Sequence, residues 1–351
     1  MRTLLVLHDL AGGGSERVAL ALAREWAEAG AEVELLLACT RGPQAPPSGL
    51  RVHVLAPTLS RGLTSRWRLG PRLKPLIERI APQVVFLPGN WHLALARGIA
   101  RARPRPRIVA KISNPPLPAL PAPARPMAAA VFRLLARPVD GFAAPPGALA
   151  EEVCRLVPAK PLARIANPPV CLPRSPPAAP HRSGRVVAIG RLVPQKDMEL
   201  AIRAFALAQA TRPLTLDIAG DGPERPRLEE LARGLPVRFL GHLADTTPLL
   251  RQADALLLTS RFEGTPAVAL EALGHGIPVI ATDSAPFLRD LLDGRPERGR
   301  LVASRRPHDV AQALLDRLAE PPGVGEVPEL IAHEPARIAR AYLDFFRELA
   351  A

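Results

Sequence analysis

Four charged residues in the second half of the chain have the types and spacing to grip a diphosphate and a sugar: Arg191, Lys196, Glu263 and Glu271. Arg191 and Lys196 flank a short loop between the strand-like run RVVAIG (185–190) and a helical segment that opens at 198. The loops at strand ends are where open α/β sheets bind ligands. Two cations there can neutralise a diphosphate and stabilise it as a leaving group. Glu263 falls in the loop after the apolar run ALLLTS (255–260), and Thr265 and Pro266 read as the N-cap and first position of a helix. Backbone N–H groups at 265–268 and the helix dipole would favour an anion. Glu271 sits in AVALEALGHGIPVI. An unpaired charge is costly in such an apolar setting, so this carboxylate reads as one that accepts hydrogen bonds from a diol such as ribose. Any of the four taken singly is more often a solvated surface charge. Their common position at strand ends favours a ligand site.

A second candidate is the first turn, HDLAGGGSERV (8–18), with Gly12, Gly13 and Gly14 ahead of a helix. Backbone can approach a ligand closely there. It is no dinucleotide fingerprint, because the third glycine of that pattern would fall at Arg17.

These loops need strands to hold them. RTLLVLH (2–8), VELLLAC (33–39), VVFL (84–87), RIVAKI (107–112) and GFAA (141–144) read as strands, and ERVALALAREWAEA (16–29) as a helix capped by Gly30. The alternation restarts near 185, with MELAIRAFALAQA (198–210) as a helix, Asp197 as its N-cap, and strands at 214–220, 237–241, 255–260 and 277–282. Continuous apolar strands alternating with helices predict two parallel, doubly wound sheets. The expected domains are 1–168 and 185–328, joined by a Pro-rich linker at 169–184, with 329–351 as an amphipathic helix returning to the first domain. The Pro-rich run 114–126 is expected to be a surface loop.

At 351 residues, two domains are the better prior. Cys39, Cys154 and Cys171 are odd in number and lack metal-ligand spacing, which argues against a disulfide framework or zinc site and fits a reducing compartment. No apolar run reaches membrane-spanning length, and the first residues read as a strand rather than a signal peptide. The net charge of +13 lies entirely in residues 1–170, which hold 23 Lys and Arg against 10 Asp and Glu. Such asymmetry suits an anionic partner for that half. Arg61, Arg66, Arg68, Arg72, Lys74 and Arg79 interleave with Leu63, Trp67, Leu69, Leu73, Leu76 and Ile77, a pattern suited to an anionic membrane surface or a lipid-diphosphate acceptor. A solvated arginine-rich face is the plainer reading. Nucleic acid is not expected, since the charge comes without aromatic stacking runs or a nucleic-acid motif.

The strings GRLVPQKDMELAIRAF, AGDGPERPRLEELA and SRFEGTPAVALEALGHGIPVIAT, in that order, resemble the retaining glycosyltransferases of family four, which have the GT-B fold. Glu263 and Glu271 meet the family's E-x7-E spacing. GGGSERV (12–18) and IANPPV (165–170) extend the resemblance weakly, with Pro168 where the family has glycine. The resemblance implies an α/β GT-B fold, two Rossmann-like domains facing a central cleft. It implies that Arg191 and Lys196 hold a donor diphosphate, that Glu263 contacts sugar hydroxyls and that Glu271 binds ribose. The backbone of Gly264, Thr265, Pro266, Ala267 and Val268 would face sugar and phosphates. Gly241, His242 and Leu243 would lie beside the base. Gly190, Gly220 and Gly222 would line the donor cleft, approached from the other domain by Gly12, Gly13 and Gly14. Many relatives carry a His near the reacting carbon. Here His92 or Asn114 stands in the corresponding places, His92 as a candidate catalytic neighbour and Asn114 as an acceptor contact; His92 reads equally well as a helix-start residue with a satisfied ring.

The activity implied is retaining, metal-independent hexosyl or N-acetylhexosaminyl transfer from a nucleotide-diphosphate sugar, UDP favoured over GDP, without a cofactor. No Asp-x-Asp occurs in the chain. The acceptor would be a glycan or lipid-linked molecule of the cell envelope, at the inner face of the membrane. The competing readings are a UDP-sugar 2-epimerase of the same fold and a non-catalytic partner subunit.

Overall fold

The computed structural model describes residues 1–10, 14–42, 44–60, 64–117, 122–168 and 183–351. Gly12, Gly13, Arg61, Leu63, Cys171 and most of the Pro-rich stretch between the halves therefore lie outside the described residues. The chain forms two units: Met1–Pro168 with Ala332–Ala351, and Pro169–Ile331.

The first unit runs β1 (Arg2–Leu7), α1 (Gly14–Glu28), β2 (Glu32–Leu37), β3 (Arg51–Val54), α2 (Ser65–Ile80), β4 (Val84–Leu87), a 3-10 turn (Asn90–Leu95), α3 (Ala96–Ile99), β5 (Arg107–Lys111), α4 (Arg125–Ala136), β6 (Gly141–Ala144), α5 (Ala148–Leu156) and β7 (Leu162–Arg164). Its seven strands are ordered β3-β2-β1-β4-β5-β6-β7, and every pair is parallel. The central strands are apolar on both faces because helices cover both, as β4 with all four residues buried illustrates. The sequence pattern did not reveal β3 and β7. Both are short edge strands, and RVHV is largely exposed, so neither offers an apolar run.

Within α2 the alternation of basic and apolar residues is a helical period. Leu69, Leu73 and Ile77 are fully buried in the core while Arg68 and Lys74 face water. The apolar half of this segment is thus packed into the core, Trp67 excepted at 51% exposure.

The second unit runs β8 (Arg185–Ile189), α6 (Met198–Thr211), β9 (Thr215–Ala219), α7 (Arg225–Leu231), β10 (Val237–Gly241), α8 (Thr247–Leu250), β11 (Ala255–Leu258), α9 (Ala267–Gly274), β12 (Val279–Thr282), α10 (Pro286–Leu292), β13 (Gly299–Val302) and α11 (Pro307–Ala319), and all but the last residue of α12 (Glu329–Ala332) belongs to it. Its six parallel strands are ordered β10-β9-β8-β11-β12-β13. The chain reverses its direction of sheet growth between β8 and β11, which makes their C-terminal ends the topological switch point.

The last helix, α13 (Pro335–Ala350), belongs to the first unit. It buries Ile338, Ala339, Tyr342, Leu343, Phe345 and Phe346. Trp26 of α1 is fully buried against it, donating Nε1–H to Ala339 O at 3.0 Å and meeting Phe346 edge-on at 5.3 Å. Gly141 at the start of β6 leaves room for it, since a Cβ there would stand 2.5 Å from Leu349 Cδ1. The amphipathic pattern at 329–350 is thus two helices rather than one. Among the described residues, no helix is long and apolar enough to cross a membrane.

Candidate functional site

Gly190, Arg191 and Lys196 follow β8, and Ser260 and Glu263 follow β11, so the switch point gathers them. Lys196 Nζ forms an ion pair with Glu263 Oε1, both side chains being largely buried. Ser260 Oγ donates to the same carboxylate oxygen at 2.7 Å. The Glu263 N–H is held by Ser284 O at 2.9 Å. Gln195 ties the two loops together: its Nε2 donates to Phe262 O at 3.0 Å, its carbonyl accepts from Arg261 N at 2.8 Å, and its Oε1 accepts from Arg191 at 3.5 Å. Arg191 is exposed at the mouth of this group.

Long charged side chains on loops lose rotamer freedom when they are fixed. Here the ion pair fixes Lys196 and Glu263 in advance, and both retain capacity for further hydrogen bonds, Lys196 as a donor and Glu263 as an acceptor.

Asp197 occupies the position before α6 but does not cap it with its side chain. Its backbone is left-handed (φ 45°), and its carboxylate instead binds Arg305 at 2.6 Å and Arg261 at 3.2 Å. Arg305 also donates to Ser260 O and Thr259 O, each at 2.9 Å. One guanidinium thus braces the loops after β8 and β11 from a loop after β13. Sequence reasoning missed Arg305, and no local signal marks it, because its partners are 45 to 108 residues away.

Gly220 and Gly222 follow β9 in conformations with φ of 142° and 159°. A Cβ on Gly220 would lie 1.8 Å from Gly190 O, and one on Gly222 would lie 2.4 Å from Leu192 O. The absent side chains let the loops after β8 and β9 pack backbone to backbone, closed by Leu192 N–H to Asp221 O at 2.9 Å. Gly241 ends β10, its carbonyl accepting from Gly220 N at 2.7 Å. Half-buried His242 and Leu243 follow it on the same edge.

Gly264, Thr265 and Pro266 lead into α9. The helix begins one residue later than expected: Pro266, not Thr265, holds the N-cap position, and Ala267 is the first helical residue. No side chain caps this end. Val268 is half-buried in the first turn, and Glu271 is 2% exposed within the helix.

In the first unit, Gly14 opens α1. His92 is buried in the turn after β4, its ring 5.1 Å from that of Trp91, which in turn lies 4.9 Å from His8. Asn114 is exposed, and its backbone is held by Asn90. The Asn90 carbonyl oxygen accepts from Ser113 N at 3.0 Å and Asn114 N at 3.3 Å, while its amide donates to Asn114 O at 2.8 Å. Asn90 was missed by sequence, although an Asn directly after a strand and glycine is a turn signal.

Lys111 carries no such sequence signal. It ends β5 fully buried, donating to Ser113 Oγ at 2.7 Å, and it makes no ion pair among the described residues. Burial pushes its ammonium down to about 7. Between that value and the ordinary lysine range, the unfolded chain carries a proton that the folded chain does not. Stability is therefore expected to rise with pH from 7 upward, with the penalty fully present below 7. Lys111→Met should raise stability on the order of a few kcal/mol near pH 6.5 and much less near pH 10. Urea midpoints of both chains across that range check this; a constant difference would refute it.

Among the described residues, no cluster of His, Cys, Asp and Glu stands ready to hold a metal ion.

Two family models match the chain: Glycosyltransferase Family 4 over residues 12–168 and Glycosyl transferases group 1 over residues 183–320. An uncharacterized glycosyltransferase of Haemophilus influenzae is 26% identical over 155 residues, 43% of each chain. A GDP-mannose-dependent alpha-(1-6)-phosphatidylinositol dimannoside mannosyltransferase of Mycobacterium tuberculosis is 34% identical over 140 residues, 39% of this chain and 36% of that one. The chain thus matches less than half the length of these relatives. Among solved structures, HepE of Anabaena in complex with UDP-glucose superposes with a TM-score of 0.72 at 18% identity, over 100% of this chain and 98% of that one.

Proposed function

From the premise that the chain carries a glycosyltransferase family 4 region at 12–168 and a group 1 region at 183–320 on a GT-B fold, we propose that it is a retaining glycosyltransferase. It moves a hexosyl or N-acetylhexosaminyl group from a nucleotide-diphosphate sugar to a glycan or lipid-linked acceptor. The observation that carries this reading is the Lys196–Glu263 pair at the switch point, with Arg191 beside it and the uncapped start of α9 close in sequence.

In this reading the donor takes over both halves of the pair. The diphosphate draws Lys196 and Arg191, and sugar hydroxyls donate to Glu263. The bond between sugar C1 and the phosphate oxygen breaks through an oxocarbenium-like state. The leaving diphosphate accepts the acceptor hydroxyl's proton as that oxygen bonds to C1 on the same face. Developing charge on the diphosphate is met by fixed cations, so the reaction needs no metal. Glu271 holds the ribose, and Gly241 to Leu243 border the base. His92 or Asn114 serves the acceptor side. UDP is preferred to GDP as the donor's nucleotide. The protein works in the cytoplasm at the inner membrane face.

Thermal shift with a panel of UDP- and GDP-sugars tests this. A true donor at a hundredfold excess over its Kd should add about 2.7 kcal/mol of stability. The expected result is a rise with one or a few UDP-sugars, followed by release of UDP with transfer of the sugar. No shift with any nucleotide sugar, or shifts confined to GDP-sugars, would overturn the reading or its base preference respectively.

A further inference from the structure

From Arg79 to Val139 the chain holds ten Lys and Arg and no Asp or Glu. Within that stretch, α4 buries Ala129, Phe132 and Ala136 in the core of the first unit. The other side of such a helix is ordinarily polar. On α4 it carries Met127, Val131 and Leu134, exposed by 70%, 49% and 54%. Their i, i+4, i+7 spacing makes one apolar stripe about 10 Å long. Arg133 and Arg137 are exposed on its flank and Arg125 is exposed at the helix start, and among the described residues none of the three forms an ion pair. Arg133 donates Nε–H to Leu156 O at 3.1 Å, a contact that leaves its charge uncompensated.

We infer that α4 is the element that docks the first unit on an anionic lipid surface. The stripe enters the boundary between headgroups and acyl chains, and the arginines meet lipid phosphates. The charge selects this occupant. A second copy packed stripe to stripe would bring the unpaired Arg133 and Arg137 near their own counterparts, which is repulsive. Three aliphatic side chains on a single helix are also small for a stable protein interface, whereas partial insertion needs no matching surface. On this account α4, rather than α2, whose Leu69, Leu73 and Ile77 are in the core, makes the contact at the proposed inner-membrane location.

Flotation of the full chain with vesicles of phosphatidylcholine, and of equal parts phosphatidylcholine and phosphatidylglycerol, tests it. The chain should float with the mixed vesicles and not with the neutral ones. The variant M127S/V131S/L134S should lower the floated fraction at least about fivefold, as should R133E/R137E, with thermal midpoints unchanged. Three results would overturn the inference: no flotation with anionic vesicles, equal flotation with neutral ones, or a triple variant that floats like the original chain. Concentration-dependent dimerisation that the triple variant abolishes would also do so, by assigning the stripe to a second copy. Sugar transfer is a separate readout: flotation through α4 without transfer leaves this inference standing and refutes the transferase reading, and the converse holds.

Discussion

Glu263→Gln is expected to lower kcat by about 100-fold to 1000-fold, the loss typical of removing one charged contact made to the reacting group. Glutamine keeps the size of the side chain and can still accept from Ser260, which donates to it at 2.7 Å. It removes the charge that sugar hydroxyls lean on and that holds Lys196 in place. Because both partners are largely buried, the substitution also leaves an unpaired ammonium, so some destabilisation will accompany it. Lys196→Met/Glu263→Gln separates the two effects. The double variant should recover most of the thermal midpoint while turnover stays low. Turnover of Glu263→Gln within threefold of the original chain would refute the assigned role, and recovery of turnover in the double variant would make the pair structural only.

Gly220→Ala is expected to destabilise the second unit by about 3 kcal/mol or more and to abolish donor binding. The methyl group would stand 1.8 Å from the Gly190 carbonyl oxygen, which belongs to backbone and cannot rotate away. The loop that carries Arg191 must move to admit it. Gly234→Ala is the matched control: Gly234 also has positive φ, at 79°, but a Cβ there meets nothing within 4 Å. It should cost only about 1 kcal/mol. Urea unfolding of the three chains measures both effects, and a Gly220→Ala midpoint equal to that of Gly234→Ala would refute the packing argument.

The parts of the molecule that rest on local pattern were legible in the sequence. Buried strands such as β4 and β8 announce themselves as apolar runs, and their alternation with helices dictates parallel sheets. The loop ends that carry Lys196 and Glu263 followed from that alternation. Their mutual contact did not, because 67 residues separate them and strand order is a tertiary fact. α9 starts one residue after the position its sequence suggests, since Thr-Pro offers a cap signal whether or not the threonine is used. Asp197 misled for a similar reason: an Asp ahead of a helix is a capping signal, but two arginines outcompete the helix end for its carboxylate. Basic and apolar alternation in α2 read as a membrane-facing pattern because sequence alone cannot tell a core face from a lipid face.

The placement of α13 bears on the order in which the protein matures during synthesis. The core around Trp26 and Phe86 is sealed by Tyr342 and Phe346, and the residues from 169 to 331, the whole second unit, are made in between. At ribosomal speed that interval lasts roughly 8 to 30 s. The second unit can close while the first still shows an open aromatic seam to solvent. The nascent chain is then most exposed to aggregation, and to chaperone capture, on its N-terminal half, and a truncation after residue 331 would fix it in that state.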